Sequence, residues 1–187
     1  MVEQRKVVLV TSLGKKYFGN VDVPNTSLRT TDLFNSGSIY WSEPSEKCFE
    51  NAIQLYDVQL VIDDSPVRVQ FEKIQVKLFE IVYFYDDLPS ITDEKEKMRA
   101  TTMVLKTKEQ VQTVNIITTP VANSFYNLTG SFFGLFKKKS NDKFIPLTEV
   151  KMIEIYNKQE KWFQREIDLP YKFICISTRH IEAVRIR

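Results

Sequence analysis

Runs of β-branched and aromatic residues follow one another along most of this chain of 187 residues. Glycine and proline, the residues that most often mark turns between strands, number only 5 and 7. Residues 53–61 carry polar side chains at most alternate positions, and residues 67–71 alternate strictly. A period of two predicts half-buried β-strands. The helical signal is confined to residues 28–35 and to the charged stretch 93–99, which lacks an apolar face. A mostly β fold with few short helices is therefore expected.

The second half of the chain repeats the order of features in the first. One match sets residues 53–58 (IQLYDV) against residues 145–150 (IPLTEV), 92 positions apart. Further matches, 93 to 96 positions apart, pair residues 8–11 with 104–107, 21–24 with 117–120, and Gly37 with Gly130. We interpret this order as two copies of one unit of about 85 residues.

A dense run of mixed charge at residues 93–97 lies where the two halves meet and predicts a linker. The predicted organisation is a first unit over residues 1–88, a charged linker over 89–101 and a second unit over 102–187. Small units of short strands can remove exposed sheet edges by closing on themselves. We therefore expect two tandem small β-barrel units of the Sm-like or SH3-like kind.

Four segments of the first half (residues 8–11, 19–24, 28–35 and 53–58) together resemble a bacterial family of uncharacterised domains with a small, Sm-like β-barrel character. In that family the middle segment runs Arg, Leu, Ser, Asp, an apolar residue, Leu, Asn. Arg29, Asp32 and Asn35 keep its polar positions, whereas Phe34 stands where leucine is usual, and residues 123–128 of the second copy have lost most of the pattern. The resemblance implies a fold but no catalytic residue and no substrate.

Catalytic motifs are absent from the sequence. The chain has one histidine, His180, in a predicted turn, and two cysteines, Cys48 and Cys175, which we interpret as free thiols. It contains no phosphate-binding loop, dinucleotide fingerprint or nucleophile elbow. The pairs at residues 63–64 and 86–87 could hold a cation through carboxylate oxygens, but aspartate is also a common turn former. We expect neither an enzyme nor a bound cofactor or metal.

Charge separates the two halves. Residues 1–93 contain 9 basic and 14 acidic residues, a net charge of −5, whereas residues 94–187 contain 17 and 10, a net charge of +7. Opposite charges on two copies of one unit suggest complementary surfaces, within the chain or between chains. A basic half also suits an anionic partner such as RNA or DNA, or an anionic membrane surface.

An aromatic run followed by three lysines is the sharpest local feature. The candidate partner-binding residues are Phe132, Phe133, Leu135, Phe136, Lys137, Lys138 and Lys139, with Tyr40 and Trp41 at the matching place in the first copy. The same pattern also describes a buried strand that leads into a solvated turn. Aromatic anchors beside cations suit a protein interface or contact with anionic lipid.

These observations favour a non-enzymatic interaction or scaffold protein. It would bind a protein partner, or itself, through sheet edges and the aromatic segments. Alternatives are a nucleic-acid-binding Sm-like protein that uses the basic C-terminal half, and a peripheral membrane-associated protein. The apolar residues 7–10 are too few for a secretory signal, and no long apolar run exists, so a cytoplasmic location is expected.

Overall fold

A computed structural model describes residues 3–11, 14–24, 28–36, 48–63, 65–86, 111–121, 123–133, 142–169 and 172–187. Most of these residues lie in β-strands, which confirms the predicted mostly β fold. The strands are β1 (Glu3–Thr11), β2 (Lys15–Val23), β3 (Ala52–Ile62), β4 (Arg68–Lys77), β5 (Ile81–Asp86), β6 (Val111–Thr118), β7 (Ser124–Phe133), β8 (Phe144–Lys158), β9 (Lys161–Ile167), β10 (Phe173–Ser177) and β11 (Ile181–Ile186). One short helix, α1 (Thr30–Asn35), and two 3-10 helices (Leu78–Glu80 and Thr178–His180) accompany them. Within these ranges, no helix has the length and apolar character needed to cross a membrane.

The chain divides into two compact units, each described here by itself. Unit 1 comprises Met1–Asp87, Asp142–Ile145 and Cys175–His180, and unit 2 comprises Leu88–Asn141, Pro146–Ile174 and Ile181–Arg187. Unit 1 therefore takes two short segments from the second half of the sequence. The predicted linker, residues 89–101, lies outside the described residues.

Unit 1 is an open antiparallel sheet with the strand order β5-β1-β2-β3-β4. Cys175 and Ile176 pair with Phe84 and Tyr83 on the outer side of β5. The described part of β4 pairs with β3 alone. The sheet of unit 1 thus does not close into the expected barrel, because the free side of β5 is occupied by residues other than β4.

The core of unit 1 lies under helix α1. Leu33 and Phe34 of the helix are buried, and the Phe34 ring packs 4.5 Å from Phe84 and 5.8 Å from Phe144 between centroids. Asn35 fixes the end of the helix, because its side-chain amide donates to the Phe144 carbonyl at 2.9 Å and accepts from the Phe144 amide at 2.8 Å. The helix predicted over residues 28–35 is confirmed, and Asn35 of the family-like segment has a structural role.

The strands of unit 2 are also antiparallel and follow the order β11-β6-β7-β8-β9. Its buried apolar side chains include Val114 and Ile116 of β6, Leu128 of β7, and Leu147 and Met152 of β8. The described part of β9 pairs only with β8, so this sheet also ends at an edge rather than closing.

Each unit contains the same unusual backbone feature. In unit 1, Gly19 of β2 lies at a shift of strand register opposite Asp57 of β3, which has a φ of 50°. In unit 2, Gly130 of β7 lies at such a shift opposite Glu149 of β8, which has a φ of 52°. Both are bulges, in which two residues of one strand oppose a single residue of the next.

Strand pairing corrects part of the predicted correspondence between the halves. Gly19 pairs with Val7 of β1, and Gly130 pairs with Val114 of β6. Gly130 therefore takes the position of Gly19 and not that of Gly37, which lies outside the described residues. The match of residues 53–58 with 145–150 agrees with the pairing. The match of 21–24 with 117–120 does not agree with it. One segment lies at the end of β2 and the other at the end of β6, which are not equivalent strands.

Candidate protein-interaction site

An unpaired strand edge in unit 2 is the most exposed apolar feature that the structure describes. Strand β9 runs beside β8 in continuous register from Lys161 to Ile167, without a bulge or a proline. Trp162 is 61% exposed and Phe163 is 44% exposed. Natural sheets usually protect a regular edge of this kind, since its free N–H and C=O groups can pair with another chain.

The turn before β9 determines which backbone groups face outward. Gln159 and Glu160 form a two-residue loop, and their φ values of 52° and 62° are those of a type I′ turn. Such a loop makes Lys158 and Lys161 a hydrogen-bonded pair, and these pairs then alternate along the ladder. The backbone groups of residues 162, 164 and 166 consequently point away from β8, toward the open edge.

Aromatic side chains flank this edge on both faces of the hairpin. On one face the Trp162 ring meets Phe125 of β7 edge-to-face, with centroids 6.0 Å apart. On the other face Phe163 stacks on Tyr156 at 5.7 Å. Pairs of this kind are rigid and largely apolar, which is typical of residues that contribute strongly to protein interfaces.

A buried ion pair supports the aromatic side chains on the second face. The Arg165 guanidinium donates through Nε to Glu154 Oε2 at 2.5 Å, and Glu154 is 7% exposed. The same guanidinium lies 5.5 Å from the centroid of Tyr156. The position of the Tyr156 ring is thus fixed by Arg165 as well as by Phe163.

Most residues predicted for partner binding lie outside the described part of the chain: Tyr40, Trp41, Leu135, Phe136, Lys137, Lys138 and Lys139. The structure does place Phe132 and Phe133 at the end of β7, where they pair with Gln112 and Val111 of β6. Phe132 is only 2% exposed, so its side chain belongs to the core of unit 2.

Unit 1 contains a buried polar network of another kind. The Arg5 guanidinium donates to the Leu28 carbonyl at 2.8 Å and to Thr30 Oγ1 at 3.2 Å, and Thr30 Oγ1 donates to Asp86 Oδ2 at 2.6 Å. Asp86 Oδ1 is buried and has no hydrogen-bond partner among the described residues. Burial raises the pKa of Asp86, although the Thr30 hydrogen bond and the Arg5 charge oppose the shift. Asp86 is the last residue of β5 and is buried. The sequence pattern instead predicts a turn at this pair of aspartates.

The cysteines and the histidine do not assemble a nucleophile with a base. Cys175 Sγ lies 2.9 Å from Thr31 Oγ1, and burial strongly raises the pKa of this thiol. His180 ends the second 3-10 helix, in agreement with its predicted place at a turn, and its ring contacts the Phe79 carbonyl at 3.1 Å. Asp63 pairs with Lys16 at 2.9 Å. Across the described residues, no three His, Cys, Asp or Glu side chains are grouped as metal ligands would be.

Trp162 and Phe163 are not predicted from the sequence, because the usual hairpin signal is absent. Positive φ values in type I′ turns favour asparagine and glycine, whereas here Gln159 and Glu160 adopt them. The available signal was the pair of adjacent aromatic residues itself. In a strand, neighbouring side chains point to opposite faces, so two adjacent aromatic residues cannot both face one core.

Comparison with known proteins adds no relative: no family model matches the chain, and neither the curated proteins nor the solved structures give a significant match.

Proposed function

We propose that this chain is a non-enzymatic interaction protein that binds an extended segment of a partner protein along the open edge of β9. The observation that carries the proposal is the edge of β9, regular and unpaired among the described residues, whose two faces bear aromatic pairs that include exposed Trp162 and Phe163. An added strand takes its affinity from backbone hydrogen bonds and its specificity from alternate side chains. The partner segment would place apolar side chains beside Trp162 and Phe163.

The reach of β8 beyond its bulge supports this assignment. Strand β3 ends five residues after Asp57, whereas β8 ends nine residues after Glu149. The four additional residues of β8 and their partners on β9 include Tyr156, Trp162 and Phe163. At about 3.3 Å per residue the extension is about 13 Å long.

We also propose that the two halves of the chain are copies of one five-stranded unit with Sm-like or SH3-like strand order. In each half the fifth strand returns to the first, as β5 pairs with β1 and β11 pairs with β6. A 3-10 helix precedes that strand in both, and a register shift follows at Thr11 and at Thr118. The equivalent bulges at Gly19 and Gly130 support the same conclusion.

The full chain can be tested against a displayed library of random peptides. We expect selection of sequences with alternating apolar residues, because an added strand presents alternate side chains to each face. The decisive variant is Gln164→Pro, which removes an N–H that faces outward and leaves the ladder with β8 intact. Gln164→Ala is the matched control, since it changes the same side chain and keeps the N–H. Trp162→Ala removes an aromatic anchor.

The proposal predicts that Gln164→Pro abolishes peptide binding and that Gln164→Ala retains it. Trp162→Ala should weaken binding by about 2 kcal/mol, or about 30-fold, as expected for an interface hot spot. Equal binding by the two Gln164 variants would rule out strand addition. Light scattering tests a second copy as the occupant: a dimer that Gln164→Pro dissociates would assign the edge to self-association and overturn the partner proposal.

A further inference from the structure

A cavity in unit 1 combines apolar walls with cationic side chains. Its volume is about 280 Å³, and Leu78, Phe79 and Phe144 form its apolar side. The remaining lining residues are polar or charged: Asn51, Lys143, Ser177, Thr178 and Arg179. All of them belong to unit 1, and no carboxylate is among the described residues that line the cavity.

Backbone hydrogen bonds hold the rim of this cavity. The Leu78 amide donates to the Asn51 carbonyl at 2.8 Å, and the Thr178 amide donates to the Lys143 carbonyl at 2.9 Å. Thr178 Oγ1 adds a bond to the Asp142 carbonyl at 2.7 Å. The first residue of each 3-10 helix is thus hydrogen-bonded to the residue that precedes a strand, Asn51 before β3 and Lys143 before β8. These bonds position the backbone of Lys143 and of the helix that contains Arg179.

No carboxylate of the described residues neutralises the cations around the cavity. In the described part of the chain, Lys77, Lys143 and Arg179 form no salt bridge. The Arg179 guanidinium instead lies 5.0 Å from the centroid of Phe79, and Lys77 Nζ lies 5.4 Å from it. Phe79 is 39% exposed and lines the cavity together with Arg179, so its ring holds one of the lining cations.

We propose that this cavity binds a small organic anion, with its apolar body against Leu78 and Phe144 and its phosphate or carboxylate group between Lys143 and Arg179. Pockets for small molecules are mainly apolar and use a few placed polar groups to orient the ligand. A guanidinium and an ammonium in the lining can satisfy an anionic group through charge-assisted hydrogen bonds. This site is independent of the β9 edge and does not depend on the proposed partner binding.

Phenyl phosphate is a suitable probe, since it joins a flat apolar body to a phosphate. Titration of the full chain by calorimetry should give one saturable site with a Kd below about 1 mM. Inorganic phosphate and phenol each lack one half of the probe, and each should bind at least about tenfold more weakly. Benzoate in place of phenyl phosphate shows whether a carboxylate serves as well as a phosphate.

Arg179→Gln and Lys143→Gln should each weaken phenyl phosphate binding about tenfold. Arg185→Gln is the matched control, because it removes an exposed arginine of β11 that does not line the cavity. No saturable binding, equal affinity for inorganic phosphate, or an equal loss in Arg185→Gln would each overturn the proposal. Circular dichroism of the variants verifies that the fold is retained, and two-dimensional NMR should place the shifted amides at the cavity rim.

Discussion

The glycines at the two bulges provide the sharpest test of how each unit is built. A Cβ added at Gly19 would lie 2.9 Å from Val58 Cγ2 and 3.2 Å from the Tyr56 carbonyl oxygen. A Cβ at Gly130 would meet the Thr148 carbonyl oxygen at 3.2 Å and Val150 Cγ2 at 3.3 Å. Because one obstacle in each case is backbone, rotation of a side chain cannot relieve the whole contact.

We therefore expect Gly19→Ala and Gly130→Ala each to destabilise the protein by about 1–3 kcal/mol, the usual cost of overpacking a tight site. The larger cost belongs to Gly19→Ala, whose nearest contact is shorter. In a chain of this size each kcal/mol lowers the Tm by about 2–4 °C. Denaturant unfolding followed by circular dichroism measures both the midpoint and the free energy of unfolding.

A double variant separates the side-chain clash from the backbone clash. Val58→Ala removes the atom 2.9 Å from the new methyl group, so Gly19→Ala combined with Val58→Ala should cost less than the sum of the two single changes. Gln59→Ala, on the exposed side of the same strand, is the control and should change stability by less than about 0.5 kcal/mol. If both glycine variants unfold at the wild-type midpoint, the close approach of the strands at these bulges is refuted.

Three further predictions concern polar groups of unit 1. Burial raises the pKa of Asp86 above its usual 3.8, so the contribution of Asp86 to stability is fully present below that value and is lost as pH rises through the raised pKa. Asp86→Asn should remove this decline in a series of unfolding curves. Asn35→Ala should cost about 2 kcal/mol because both of its hydrogen bonds to the β8 backbone are lost, whereas Asp32→Ala, in an exposed ion pair of the same helix, should cost less than about 0.5 kcal/mol. Cys48 is exposed and Cys175 is buried, so a thiol reagent should modify one cysteine in the folded protein and both after unfolding; rapid reaction of two would contradict the burial.

Local sequence patterns were sufficient to predict most strands and helix α1. The run at residues 28–35 contains Leu33 and Phe34 side by side on one helical face, and the structure buries both. Alternation at residues 67–71 correctly predicted a strand, but it did not predict burial, because Val67 and Val69 lie on an exposed edge of the sheet. Whether an apolar face is covered depends on strand order, which period-two patterning does not contain.

The site was less predictable than the fold for a physical reason. Asp57 and Glu149 adopt positive φ without being glycine, so the sequence does not mark these two residues themselves. Gln159 and Glu160 at the tip of the β8–β9 hairpin also adopt positive φ without being glycine or asparagine, so the sequence does not indicate this turn. Aromatic residues suggested an interface at 132–136, yet Phe132 is a core residue, whereas the exposed aromatic pair lies thirty residues later, at 162 and 163.

The differences between the two units indicate where function is located. A glycine opposite a positive-φ acidic residue occurs in both, which is expected of a feature that the fold requires. Beyond its positive-φ residue, β8 extends four residues farther than β3, and the additional pairs with β9 include the exposed side chains of Trp162 and Phe163. Exposed tryptophan at a regular edge costs solubility unless something covers it. The extension is therefore best explained by the strand that we propose it binds.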